Sequence, residues 1–414
     1  MPLSHTIRRL VTTKVLQNYS YMSALNILGA LISLLVYPYV IRVVGSEQYG
    51  LYVFLLAVVM YFQAVLDYGF DQPAARAIVQ NRDDIAAQSC IISTVFIAKI
   101  LLLTGVIVLG GIVIAAIPYL RQNALLISIL FLQPISTILL PVWYFQGIKD
   151  MRSVTIIQLC IRLLQIPFIF WLVRSEEDIM IYALIISTTT LLGGIIGFLT
   201  VIRHGIRLVR VPVASIRTLF KDGTPFFLTT MTGMIKERTL TVLIGAMCGM
   251  QEVAIYDLAN KIVQIPRLFT QSINAALFPE VVDNAPARRV QRILKYECII
   301  ALSIILCIIA LGYPAIYLLG GENMLGAYPL AIILSFTIYT YLVVGAYLQF
   351  VFIPHNKYYY VSLNQLVALV SCFLLCGIGL VFTHSTMLFA VSLVLSGFAE
   401  IIFCRYICHK THLL

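Results

Sequence analysis

The chain has 414 residues, of which 61% are hydrophobic and only 11% charged, whereas an ordinary soluble domain carries about 25% charged residues. That balance excludes a soluble globular enzyme and a secreted disulfide scaffold, and leaves an integral membrane protein. The formal net charge of +10 would suit nucleic acid, but the charges fall where membrane topology puts them, so no nucleic-acid partner is expected.

Arg8, Arg9 and Lys14 open the chain, and no small-residue cleavage pattern follows the first apolar run, so that run reads as a retained helix and not a signal peptide. Apolar runs of about 20 residues then recur near 21–44, 51–70, 89–117, 123–146, 153–173, 179–202, 225–248, 252–278, 296–319, 326–353, 358–382 and 386–407. None shows the alternating ten-residue pattern of a barrel strand, so helices are expected throughout. The predicted fold is an all-α polytopic membrane protein with about 12 transmembrane helices, in two six-helix lobes around a central cationic cavity.

Of the 28 Lys and Arg residues, 19 fall on the side of the N-terminus if that end is cytoplasmic. Three, Arg42, Arg121 and Arg174, fall on the other side, and six lie within spans. The split predicts an even number of spans, with both termini cytoplasmic. The longest connection divides the runs evenly. It predicts an N-terminal lobe at 1–202 (helices 1–6), a basic cytoplasmic linker at 203–224, and a C-terminal lobe at 225–414 (helices 7–12). A short internal repeat agrees: Gly45, Glu47 and Leu51-Tyr52 resemble Gly249, Glu252 and Ile255-Tyr256 about half a chain later, as a parallel duplication would.

The six charges within spans carry the functional argument, because a cation at mid-bilayer costs roughly 3 kcal/mol and must face protein or a wet cavity. Lys236, Glu237 and Arg238 sit in the middle of the seventh run. In the eighth, Asp257, Asn260, Lys261, Gln264, Arg267, Gln271 and Asn274 share one face within about 140° at 100° per residue. Four cations (Lys236, Arg238, Lys261, Arg267) face two carboxylates on this hairpin, so the surplus positive charge calls for an anion. Arg162, on a face with Thr155, Gln158 and Gln165, is a candidate from the first half. The predicted substrate-binding set is therefore Lys236, Arg238, Lys261, Arg267, Arg162 and Gln264, with Glu237 and Asp257 as proton-coupling candidates. The competing reading makes Lys236, Lys261 and Arg267 internal salt-bridge partners of Glu237 and Asp257, as structural staples. Lys99 stands among aliphatic residues, free to snorkel or pair. Asp67 reads as helix-end chemistry at the cytoplasmic surface, and Glu400 as a carboxylate near the cytoplasmic end of the last helix, paired locally.

The nine cysteines lie almost all in apolar runs with no zinc-like spacing, so no metal is expected. No Walker motif, HExxH or nucleophile elbow occurs, so neither a cofactor nor enzymatic activity is expected. Prolines 134, 141, 167, 266 and 314 fall inside spans, where they kink helices.

The strings Pro38-Tyr39, Arg42-Val43-Val44-Gly45, Glu47, Tyr49-Gly50-Leu51, Tyr61-Phe62 and Asp67-Tyr68-Gly69-Phe70 with Arg76 resemble the N-terminal signature of the polysaccharide-repeat flippases. These are the O-antigen transporters (Wzx-type) of the multidrug/oligosaccharidyl-lipid/polysaccharide exporter superfamily. Trp143-Tyr144-Phe145-Gln146-Gly147, Thr224-Pro225-Phe226-Phe227 and Ala276-Leu277-Phe278-Pro279 are similar too, so the resemblance covers roughly residues 20–285. It implies an inner-membrane flippase of undecaprenyl-pyrophosphate-linked oligosaccharide. Membrane lipids, a polysaccharide polymerase and chain-length proteins would be its partners. Related flippases carry basic residues in the first helix, whereas here that helix has none before Arg42, which moves the expected phosphate site to spans five, seven and eight. The alternatives are a drug or metabolite antiporter of the same superfamily, a membrane polymerase or ligase, and a scaffold in a sugar-assembly complex.

Overall fold

The computed structural model describes the backbone at residues 3–282, 287–355 and 357–411, and side chains at 21, 25–270, 292–355, 357 and 359–411. Among these, every regular element is helical. In chain order they are α1 (Leu3–Val44), α2 (Ser46–Asp67), α3 (Asp71–Gln80), α4 (Ile85–Ala116), α5 (Pro118–Gln122), α6 (Ala124–Leu130), α7 (Leu132–Leu139), α8 (Val142–Ile148), α9 (Met151–Leu172) and α10 (Ile179–Arg203). Then come α11 (Val213–Cys248), α12 (Met250–Val282), α13 (Ala287–Gly320), α14 (Ala327–Tyr347), α15 (Tyr358–Leu380) and α16 (Thr386–Lys410).

Ten segments among the described residues are long and apolar enough to cross a membrane. The expected runs outside those ten belong to α11 and α12, helices of 36 and 33 residues, about 50 Å each at 1.5 Å per residue against a hydrocarbon core of about 30 Å. Length does not set them apart; their internal charges do. Exposed Leu101, Ile107, Val108 and Ile112 on α4, with Leu302 and Leu306 on α13, form apolar faces of the kind lipid covers.

Two local features follow directly from residue type. Gly45 and Gly249 are the single residues joining α1 to α2 and α11 to α12, with φ of +83° and +101°. Only glycine adopts that conformation without a Cβ penalty, so the repeat read from the sequence is a repeated one-residue helical turn. The run at 123–146 is broken into α6, α7 and α8 around Pro134 and Pro141, because a proline ring cannot donate to the preceding turn.

The chain divides into two compact units, 1–32 with 55–231, and 33–54 with 232–414. In the first, Phe70, Ile78, Trp143, Tyr144, Phe145 and Val154 form the main core. Lipid tails are as apolar as leucine, so helix adhesion there also uses polar links. Gln133 Nε2 donates to Ser187 Oγ at 3.2 Å, and Gln165 Nε2 to Thr189 Oγ1 at 2.8 Å. Residues 204–212 are irregular. Their backbone is anchored to α4 by Ser89 and Ser93, which accept from the N–H groups of Arg207 and Val209 at 3.1 and 2.9 Å. In the second unit, Val343, Tyr347, Phe350 and Phe352 pack with Ile401, Cys404, Ile407 and Cys408.

Candidate functional site: paired and unpaired cations within the spans

Each charged residue singled out in the sequence acquires defined neighbours in the fold. On α12, one helical turn separates Asp257 from Lys261, and the two form an ion pair. Tyr49 closes the group: its hydroxyl donates to Asp257 Oδ2 at 3.0 Å and accepts from Lys261 Nζ at 3.0 Å. The same ammonium lies 5.3 Å and 5.6 Å from the ring centroids of Tyr37 and Tyr49, within cation–π reach. The cation is thus held by one carboxylate, one hydroxyl and two aromatic faces.

One and a half turns further along α12, Arg267 stacks on Tyr341 of α14, 3.8 Å from guanidinium carbon to ring centroid. It reaches Glu237 at 3.5 Å. Glu237 is exposed and Gln264 is exposed, so neither is enclosed among these helices. The eighth-run stripe is therefore real as a face, but two of its cations are locked to the carboxylates of the same hairpin. Gln271 and Asn274, and the Ala276-Leu277-Phe278-Pro279 string, lie outside the residues whose side chains are described.

Lys236 finds a partner that sequence spacing does not suggest. Its ammonium is 3.0 Å from Glu400 Oε1 on α16. The second carboxylate oxygen accepts from Asn364 Nδ2 on α15 at 3.0 Å, and Asn364 Oδ1 accepts from the Cys404 thiol at 3.4 Å. Glu400 is thus not paired with a local cation at a helix end. It closes a chain of polar groups across three helices, in which Asn364 and Cys404 are fully buried.

Lys99 is buried, and it neither stands alone nor snorkels. Its ammonium lies 3.1 Å from Asp67 and 3.8 Å from Asp71, bridging the end of α2 and the start of α3. There Tyr68 and Gly69 take positive φ, 42° and 68°. A cation beside the last residue of α2 also meets the negative end of that helix dipole. Tyr68 in turn stacks on Phe227 with centroids 4.6 Å apart, which ties the Asp67-Tyr68-Gly69-Phe70 string to the Thr224-Pro225-Phe226-Phe227 string.

Two span cations remain. Arg238, half-buried on α11, and Arg162, half-buried at the middle of α9, have no carboxylate within ion-pair distance among the described residues. The Arg162 guanidinium lies against Gly29 of α1, so close that a Cβ there would sit 1.5 Å from Nη1. From residue 21 to residue 41 α1 has no basic residue of its own, yet a guanidinium from α9 covers it at Gly29. Its stripe neighbours serve packing: Thr155 donates to the Tyr21 carbonyl at 3.2 Å, and Gln165 bonds α10 as above.

The sequence reading missed Glu400, Asn364, Tyr49 and Tyr341 as members of this machinery. A signal existed for the first two, each a strongly polar residue inside an otherwise apolar run. Tyr49 stood in one of the strings that carry the resemblance but with no role assigned, and Tyr341 carried no signal, since an aromatic in a membrane helix is ordinary.

The family described as polysaccharide biosynthesis protein matches residues 15–284. A curated relative, "Putative O-antigen transporter" of Escherichia coli (strain K12), is 25% identical over 279 residues, 67% of this chain and 67% of its own length. Among solved structures, the lipid II flippase MurJ in its inward closed conformation superposes with a TM-score of 0.65 at 12% identity, covering 97% of this chain and 87% of that one. An inward-facing multidrug resistance MATE family transporter of the MOP superfamily gives 0.63 at 13% identity, covering 92% and 98%. At such identities the structural likeness shows the fold alone, while the family match extends over more than half of the chain. This polytopic helical membrane protein belongs to the polysaccharide biosynthesis protein family.

Proposed function

We propose that this protein is a flippase that carries an undecaprenyl-diphosphate-linked oligosaccharide, an O-antigen repeat unit or similar glycan, across the bacterial inner membrane by alternating access. The observation that carries the reading is the pairing of the span cations. Lys99, Lys236, Lys261 and Arg267 hold carboxylates, which leaves Arg162 and Arg238 as surplus positive charge in segments where an unpaired charge is costly. A diphosphate offers the missing negative charge. A guanidinium meets it with two parallel hydrogen bonds, whereas a lysine acts as a point charge. The name of the Escherichia coli relative and the flippase fold support the same substrate class.

In this proposal the lobes are 1–202 and 225–414, joined by 203–224, with both termini cytoplasmic. Polymerase and chain-length proteins act downstream. The proposed substrate-binding residues are Arg162, Arg238, Lys236, Lys261, Arg267 and Gln264. The test is complementation of a deletion strain with wild type, Arg162→Ala or Arg238→Ala at matched membrane expression. Lipid-linked repeats on the cytoplasmic face and mature surface polysaccharide are both measured. Trapped repeats in the deletion and in both variants support the proposal. A deletion that changes neither quantity rejects the flippase reading, and fully active variants reject the assigned residues.

A further inference from the structure

Lys236 and Glu400 occupy matching depths. The Cys248 end of α11 and the Thr386 end of α16 meet, through Cys248 Sγ on the His384 carbonyl and Thr386 Oγ1 on Glu252 at 2.6 Å. Counting back from that end at 1.5 Å per residue puts Lys236 about 18 Å and Glu400 about 21 Å into the bundle. The pair therefore lies inside a core about 30 Å thick, about 9–12 Å from its other face. Burial is graded across it. The Lys236 side chain is 16% exposed and that of Glu400 9%, and Asn364 and Cys404 behind them are closed off. The ammonium is the outer member, on a helix whose Phe226, Leu228 and Thr229 are exposed, and the unpaired Arg238 is two residues away.

Among the described residues, the other groups around Glu400 leave it a single cation. From α15 it meets Asn364, while Cys372 of that helix lies near Lys236. α14 presents Thr340 to Gly397 of α16, and its Tyr347 turns to Arg405 and its Tyr339 to Cys298 and Arg405. On α16 itself the neighbour is the Cys404 thiol. Lys236 is thus the counter-ion of Glu400, and one ammonium cannot neutralise both a buried carboxylate and an incoming diphosphate.

We propose that Glu400 and the anionic headgroup compete for Lys236, and that Glu400 takes up one proton when the headgroup wins. This rests on the flippase reading above and supplies its coupling. As a phosphate oxygen takes the ammonium, the Glu400 carboxylate is left away from water without a counter-ion, and it binds a proton from solution to become the neutral acid. The acid still accepts from Asn364. When that proton leaves to solution, the carboxylate retakes Lys236 and the headgroup is expelled. One proton thus enters as the anion binds and departs as it leaves. This role falls to Glu400 because it is enclosed and bound to one cation. Glu237 is exposed, and Asp257 has its own lysine and tyrosine.

The test is calorimetric titration of undecaprenyl diphosphate into the full-length protein in nanodiscs, in two buffers of different ionisation enthalpy, for wild type and Glu400→Gln. The ligand's own titration is common to both proteins. Wild type is expected to take up about one proton more per ligand than the variant. The variant, with Lys236 permanently free, is expected to bind about tenfold tighter or more at pH 8. Equal proton uptake in the two proteins overturns the exchange. So does an affinity that rises with sodium while no proton is taken up. A measurement on wild type alone covers a variant that does not fold: the infrared difference spectrum on adding the ligand must show a new carboxylic-acid carbonyl band, and its absence also overturns the proposal. If wild type binds no lipid diphosphate, the flippase reading falls with it. If it binds without the extra proton, only the exchange falls.

Discussion

Gly29→Val offers a test of how Arg162 is positioned. A Cβ at position 29 would stand 1.5 Å from Nη1 and 2.4 Å from Cζ of Arg162, and non-bonded contact needs about 3.5 Å. The guanidinium must therefore move by about 2 Å, more than the tolerance of a charge-assisted hydrogen bond. Losing such a bond costs about 1.5–3 kcal/mol, which is roughly a 10- to 150-fold loss of affinity for undecaprenyl diphosphate. The fold should barely notice, because the displaced atoms are the far end of a flexible side chain, so a stability change under about 1 kcal/mol is expected. Binding in nanodiscs, a detergent melt of the same preparation and export of surface polysaccharide at matched expression together read this out. Arg162→Lys serves as the control that keeps the charge and loses the fork. If Gly29→Val binds and exports as wild type while Arg162→Ala does not, the close approach at Gly29 does not set the guanidinium, and the reasoning from that contact is wrong.

Other expectations follow from the same geometry. Lys236→Ala alone leaves Glu400 buried without a counter-ion and should destabilise by about 3–5 kcal/mol; Lys236→Met with Glu400→Gln should recover most of that loss in a melt. Asn364→Leu keeps the volume but strips Glu400 Oε2 of its donor, for an expected loss of about 1–3 kcal/mol, and no loss would mean that water or another group replaces it. Tyr49→Phe removes the hydroxyl shared by Lys261 and Asp257 and should cost about 1 kcal/mol with the ion pair intact. Gly249→Ala forces a Cβ into φ +101° and should cost about 1 kcal/mol or more, measurable as a lowered midpoint in the same melt.

Much of this protein is determined by its sequence alone, because the bilayer restricts the possibilities so severely. An apolar run of about 20 residues without alternation has little choice but to span as a helix, since lipid offers no partner for an open backbone. The helical runs, a turn at Gly45 and at Gly249, and the distortion around Pro134 and Pro141 were therefore legible; that each turn is one residue long and that the 123–146 run breaks into three helices were not. The placement of Lys236, Arg238, Lys261, Arg267 and Arg162 inside spans was legible too. Which of these cations is neutralised was not. The Asp257 partner of Lys261 lies four residues away, where helix periodicity reveals it. The Glu400 partner of Lys236 lies 164 residues away, and the glycine that receives Arg162 sits on another helix. Composition counts charges on a hairpin, but pairing depends on which helices adjoin and at what depth, and in lipid that choice comes from close packing and interhelical hydrogen bonds, which hydropathy does not encode. The tertiary structure alone decided that four span cations are paired and that Arg162 and Arg238, among the described residues, meet no carboxylate.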